Sequence, residues 1–370
     1  MDIMKYIMIK VLFLSVLLLS MFTANVDAQY VTLNGHDVSV SSLDRFILNE
    51  IDSKEIPAIS IAIINDGKIV YQKNAGVKDF ITNKSVDENS IFEAASLSKT
   101  VFAYFVMKLV DRGILDLDKP LYKYMIYKDI ENDNRYKNIT ARMVLDHTSG
   151  LPNWRTSDFA DPKRNFKEGD LYLKFNPGSA YSYSGEGYYF LSKVIAKLTK
   201  TDLTTLDNLF QKEVALPLNL QHSWFSINNF IVDHKVTGYM NKKAVIRWPG
   251  SLPDLNSKTF GAAGGLHTDA GSYAKFLIAL MNGKGLSKKS VNEMFKFQVR
   301  LDQNKDYDGD IGWGLGIGIR PGVNGFDYNH RGNNGNFQSY YLINEKDRSG
   351  YVFFVSCDKG AEFNERLKKL

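Results

Sequence analysis

The segments of this chain that read as β-strands lie at its two ends, and that placement constrains the fold more than any other feature. Near the start, Pro57–Val70 clusters β-branched residues around Asn65-Asp66-Gly67. Asp-Gly between apolar runs is a hairpin turn, because both central residues of the favoured two-residue turn take positive φ. Ala58–Ile64 and Lys68–Asn74 are therefore predicted as paired antiparallel strands. Strand signals return only late, at Gly312–Ile319, Tyr328–His330, Phe337–Asn344 and Tyr351–Cys357, with Asn344–Gly350 turning the last hairpin. Between them, about Leu117 to Pro253, the chain reads as helices (Ala141–His147, Tyr188–Leu198) and loops marked by Pro152, Pro162 and Pro177. Phe363–Leu370 closes as a helix. The strands from both ends must share one sheet, with a helical lobe inserted between them. The expected class is α+β: a mainly antiparallel sheet flanked by helices. The sheet lobe takes about 29–116 and 260–370, and the helical lobe about 117–259. In one late strand Gly312, Gly314, Gly316 and Gly318 alternate with Trp313, Leu315, Ile317 and Ile319. One face would then be bare, which suits close packing of a helix.

Just after the first hairpin, Ser96-Leu97-Ser98-Lys99 enters an amphipathic helix. Its apolar stripe is Val101, Phe102, Phe105, Val106, Leu109 and Val110, and Gly113 stands at its C′ position. A serine and a lysine three apart on a helix share one face. Serine attacks carbonyls only when a base takes its proton, and a poorly hydrated lysine loses its charge and becomes such a base. The spacing recurs at Ser272/Lys275 and Ser356/Lys359. Ser356 ends the strand-like run Tyr351–Val355, where positions i and i+3 face opposite ways. Ser272 opens a helix and reads as a capping or surface serine.

Composition narrows the classes. The chain has 370 residues, 44% of them hydrophobic, enough for a large core. Its formal charge of +5 is spread without a basic run, which argues against nucleic acid as a partner. Lys5 and Lys10 precede the apolar run Val11–Phe22, and Val26-Asp27-Ala28 supplies small residues at a cleavage site. Residues 1–28 are read as a signal peptide, giving an exported protein, periplasmic or secreted, with no stable membrane insertion after its removal. An uncleaved anchor is the other reading, but the run is short for a span. The single cysteine, Cys357, packs as a small apolar residue on a strand. The six histidines show no metal-binding spacing, no phosphate-binding glycine loop precedes a helix, and no Gly-x-Ser-x-Gly elbow is present. No metal and no cofactor is expected.

Two further segments join Ser96-x-x-Lys99: Pro177-Gly178-Ser179-Ala180-Tyr181-Ser182-Tyr183-Ser184-Gly185-Glu186-Gly187-Tyr188 and His330-Arg331-Gly332-Asn333-Asn334-Gly335-Asn336. Together these resemble the three motifs of the class C β-lactamase family, which also holds D,D-peptidases, D-aminopeptidases and carboxylesterases. His147-Thr148-Ser149-Gly150-Leu151-Pro152 and Gly261-Ala262-Ala263-Gly264-Gly265-Leu266 support the match, in order from about Leu43 to the C-terminus. The resemblance implies a β-lactamase/transpeptidase-like fold with the active site between the lobes. It makes Ser96 the acylated nucleophile, Lys99 its activator and Tyr183 the proton shuttle. Tyr181 competes for that last place, and Gly187-Tyr188 sets the register in favour of Tyr183. His330, Gly332, Asn333 and Gly185 become the substrate-binding positions, Gly332 leaving room for substrate, and the N–H groups of Ser96 and Asn333 form the oxyanion hole.

Two departures matter. Gly185 stands where lactamases and D,D-peptidases usually carry a substrate-contacting asparagine, and His330 replaces the lysine of true lactamases. Arg331 next to it carries a compensating charge, but on a strand it should point away from the cleft. The reading is a serine hydrolase acting on a small ester, peptide or β-lactam, with an esterase- or peptidase-like leaning. A non-hydrolytic peptidoglycan- or peptide-binding protein on the same scaffold is the alternative, and the oligomeric state is left open. His147 is expected to hold a helix end and turn, and Glu93 and Glu186 to be solvated or network carboxylates.

Overall fold

The computed structural model describes residues 30–370 except 34, 54, 156–168, 246–258, 303 and 306. The signal peptide read at residues 1–28 and the loop proline Pro162 lie outside the described residues. The Asp66-Gly67 turn closes as expected, with φ of 47° and 68°. It joins Ala58–Asn65 to Lys68–Gly76. These two strands form one edge of an eight-stranded sheet, and the remaining six come from residues 299–355. From the opposite edge the order is Val299–Arg300, Gly312–Trp313, Gly318–Gly322, Gly325–Asn333, Gln338–Asn344, Ser349–Val355, then Ala58–Asn65 and Lys68–Gly76. Every adjacent pair is antiparallel. The first hairpin thus pairs with the last strand, Val355 opposite Ile59.

Alternation along the strands divides the apolar side chains between two cores. Ile59, Ile61 and Ile63 join Phe353 and Val355 under the helices Val40–Asp52 and Gly360–Leu367, through Leu43, Ile47, Phe363 and Leu367. Ala58, Ala62, Ile64, Val352 and Phe354 face the other way, into the larger core built around the helix Ser98–Asp111. That helix is buried on nearly every side from Ser98 to Met107, more than its predicted stripe requires. It runs between the sheet and the remaining helices, so its second face is also core.

Four expectations are corrected. The glycine-alternating run is a tight hairpin, not one strand: Gly312 pairs with Ile319 and Trp313 with Gly318. Gly316 turns it, with φ of 74°, and a Cβ there would lie 2.6 Å from Ala103 Cβ. The glycine does admit a helix, but at the turn. Cys357 is buried just beyond the last strand rather than on it. The helix expected from Ser272 begins at Ala270, and Asp269 caps it by accepting from the Ser272 N–H. The middle of the chain holds short strands as well as helices, including the hairpin Gly238–Met240 with Lys243–Val245. Its turn residues Asn241 and Lys242 take positive φ without a glycine, so it carried no visible turn signal. Among the described residues no helix is long and apolar enough to cross a membrane.

Candidate active site

Ser96 sits in a single 3-10 turn, Ala95–Leu97, that runs directly into the Ser98–Asp111 helix. Ala95 has φ of 48°. A left-handed alanine costs about 1–3 kcal/mol and persists only where its surroundings hold it. Here Ala94 N–H donates to Leu266 O at 2.8 Å, Ser339 Oγ donates to Ala94 O at 2.8 Å, and Ser98 Oγ donates to Ala95 O. The strained turn leaves Ser96 partly exposed while its neighbours are buried.

One helical turn on, Lys99 is fully buried. Its Nζ lies 3.2 Å from Ser96 Oγ and 2.6 Å from Ala263 O. Burial lowers its pKa from the ordinary lysine value to about 7. No carboxylate pairs with it among the described residues, so no opposite charge offsets the lost hydration. The site therefore holds a lysine whose neutral form is well populated near neutral pH.

The Ser184 side chain caps the Gly185–Leu198 helix by accepting from Gly187 N–H. His147, itself at φ of 63°, accepts the Ser184 N–H on Nδ1 at 3.0 Å. It thus ends one helix and anchors the approach to the next, as expected. Its ring packs on Tyr183 with centroids 4.2 Å apart, and Tyr183 in turn covers Lys99, whose Nζ lies 4.7 Å from the Tyr183 ring centroid. Burial pushes the Tyr183 phenol above its ordinary value, against a smaller pull from the Ser96 hydroxyl. The two hydroxyls are neighbours without a formed hydrogen bond, since the Tyr183 oxygen is buried and has no partner among the described residues. Tyr181 packs instead on Tyr307 and Trp313, each at 5.8 Å.

Ser96, Tyr183, His330 and Asn333 line one cleft of about 390 Å³, together with Asn153, Tyr181, Trp313 and Asp310. A larger hollow of about 820 Å³ bordered by Ile51, Phe80 and Ile81 holds no nucleophile–base pair among its lining residues, so its size does not make it the reaction site. His330 is buried, its Nδ1 faces Arg331 O at 2.8 Å, and its Nε2 has no partner among the described residues. Burial first, and Lys99 second, hold its pKa down at about 3, so it is uncharged at neutral pH. Arg331 borders the cleft mouth, closer than strand alternation predicted, but its guanidinium is paired with Asp308. Among the described residues no group of three or more His, Cys, Asp or Glu could hold a metal.

Gly185 and Gly332, expected to contact substrate, make room for protein instead. A Cβ on Gly185 would stand 2.7 Å from the Trp154 ring and 2.9 Å from Asn153 O. No asparagine fits there, and the Gly185 N–H is held by the Asn153 side chain at 3.0 Å. A Cβ on Gly332 would lie 2.5 Å from Ala94 O and 2.1 Å from Ser339 Oγ. The missing side chain lets the Ser96 turn press against the strand, and it opens no space for a ligand. Three participants were not read from the sequence: Ala263, which offers only a carbonyl, Asn153, and Trp313. Asn153 directly follows the His147–Pro152 motif, which was the available signal. Trp313 was hidden in a run read as a single strand. Glu93 and Glu186 are network carboxylates, Glu186 paired with Arg155 at 2.9 Å.

Comparison with known proteins agrees with this geometry. The family model described as Beta-lactamase matches residues 43–370. Protein flp of Staphylococcus aureus (strain MW2) is 24% identical over 335 residues, which cover 86% of this chain and 64% of that protein. The chain thus spans less than two thirds of this relative's length. Among solved structures, the octameric penicillin-binding protein homologue from Pyrococcus abyssi superposes with a TM-score of 0.68 at 23% identity, over 86% of this chain and 74% of that one. The D-amino acid amidase of Ochrobactrum anthropi SV3 gives 0.68 at 20% identity, over 89% of this chain and 98% of the amidase. The fold is thus β-lactamase/transpeptidase-like, a large antiparallel sheet with flanking helices. From the match over residues 43–370, the chain belongs to the Beta-lactamase family.

Proposed function

We propose that this protein is an exported serine hydrolase that forms an acyl-enzyme on Ser96 and cleaves an ester or amide bond. The observation that carries the reading is Lys99: a fully buried amine 3.2 Å from the Ser96 hydroxyl, with its pKa lowered to about 7. In its neutral form Lys99 accepts the Ser96 proton as Oγ bonds to the substrate carbonyl carbon. The carbonyl oxygen becomes an oxyanion, held by the N–H groups of Ser96 and Asn333. Tyr183 gives its phenolic proton to the leaving alcohol or amine as the tetrahedral intermediate collapses to the ester of Ser96, and recovers a proton from the one Lys99 accepted, so that both groups return to their starting state. Water then attacks that ester, giving up a proton through the same groups, and the acid is released with Ser96 restored.

The charges in the cleft favour particular substrates. A β-lactam or a peptide C-terminus brings a carboxylate, which a fixed cation would meet. His330 is neutral here and Arg331 is occupied by Asp308. Neutral esters and amides suit such a cleft better. The D-amino acid amidase among the structural neighbours shares the fold and supports the amide branch of the reading. A short-chain p-nitrophenyl ester should be turned over, and benzylpenicillin at the same concentration should be turned over more slowly or not at all. Faster turnover of the penicillin overturns the preference. Export is tested by N-terminal sequencing of protein from its native host, which should begin at Gln29. An intact Met1 on membrane-bound protein overturns it.

A further inference from the structure

The two oxyanion donors assigned above belong to different parts of the chain. One is in the strained turn at Ser96, and the other ends the Gly325–Asn333 strand. Their separation governs how well both reach one oxygen, and about 1 Å of misplacement costs about 10²-fold in rate. Something must hold the turn against the strand. Glu93 lies three residues before Ser96, in a short strand whose partner to Glu93 is His267. Its carboxylate is buried and has a different partner on each oxygen. Lys235 pairs with Oε1. Asn334 Nδ2, one residue past Asn333, donates to Oε2 at 2.6 Å. Lys235 is itself fastened to this strand, since Ile91 N–H donates to His234 O and Val236 N–H to Ile91 O. Nothing in the acyl-transfer steps uses this network, yet beside the Ser339 hydroxyl on Ala94 O it adds a side-chain link between the segment carrying Ser96 and the residue following Asn333.

We propose that Glu93 is a positioning residue for the oxyanion hole: braced by Lys235, its carboxylate holds Asn334 and so fixes the spacing of the Ser96 and Asn333 N–H groups. The inference rests on the acyl-transfer reading above. The bland alternative is that Glu93 only neutralises a buried lysine. The two differ in what happens when both charges are removed together. A buried ion pair replaced by apolar residues of similar size is often neutral for stability, but it cannot hold Asn334.

The test compares wild type with Asn334→Ala and with the double variant Glu93→Leu/Lys235→Met. It measures kcat and KM on a p-nitrophenyl ester, affinity for phenylboronic acid, whose adduct with serine is tetrahedral, and Tm. Asn334→Ala keeps the ion pair. It should lose about 10-fold or more in kcat and a similar factor in boronate affinity, with KM within about twofold. The double variant should fold with a Tm near wild type and show the same kinetic loss. Asn336→Ala removes a different hydrogen bond from the same turn, to Val245 O, and should behave as wild type. If kcat and boronate affinity of the double variant return to within twofold of wild type, Glu93 is only a counter-charge. If the double variant does not fold, the same twofold result in Asn334→Ala overturns the inference. A wild type that neither turns over the ester nor takes a covalent serine label removes the acyl-transfer reading, and this inference with it.

Discussion

Ser96 and Ser272 each precede a lysine by three residues, and each lies at the start of a buried helix. Ser272 even has the partners of a catalytic triad beside it. Its hydroxyl donates to Asp269 at 3.3 Å, and Asp269 also contacts His222 Nδ1. But Ser272 Oγ accepts the backbone N–H of His222, not the imidazole, and Asp269 is committed to the helix cap. Ser272 is buried away from the cleft lining. Ser96 has fewer named partners and a more reactive setting: partial exposure at the cleft, a strained residue before it, and a desolvated amine behind it. The contrast teaches that residue type and spacing do not make a nucleophile. On the function proposed above, access and a buried base without a counter-charge do.

That contrast can be broken at Lys99 first. Lys99→Ala should lower kcat/KM on an ester by about 10³–10⁴-fold, and adding Ser96→Ala should cost little more, because the pair acts as a unit. Tyr183→Phe comes next, at about 10²–10³-fold, while Tyr181→Phe should cost much less. A larger loss at Tyr181 would reverse the assignment of the two tyrosines. The pH profile sharpens the role of Lys99. Protonated Lys99 cannot accept the serine proton, so kcat/KM should fall as pH drops through about 7 and level off above it. The smallest effect is at the other serine. Ser272→Ala leaves the His222 N–H without its acceptor and costs about 1–3 kcal/mol of stability. It should lower Tm by a few °C and leave ester turnover within about twofold of wild type.

The sheet was legible because its information is local. Asp66-Gly67 has only one economical turn, and the isoleucines at 59, 61 and 63 can satisfy their pleat only against a core. The ordering of the motifs carried the site, since Ser96, Lys99, Tyr183 and His330 all converge on one cleft or its wall. What could not be read was space. Gly332 looks in sequence like an opening and Gly185 like a lost substrate contact, but whether a missing side chain admits substrate or protein depends on what the rest of the chain brings there. Trp154 fills one gap, and Ala94 with Ser339 fills the other. The glycine-alternating run failed for a related reason. Gly316 turns because the Ser98–Asp111 helix is pressed against it, a contact between residues more than 200 apart in sequence.

The central claim is that Ser96, and not another serine, is the activated nucleophile. Intact-mass measurement after incubation with a fluorophosphonate tests it most directly. Wild type should gain the mass of one phosphonyl group, Ser272→Ala should gain the same, and a folded Ser96→Ala should gain none. Labelling of Ser96→Ala at the wild-type rate, with its circular dichroism unchanged, would contradict the account.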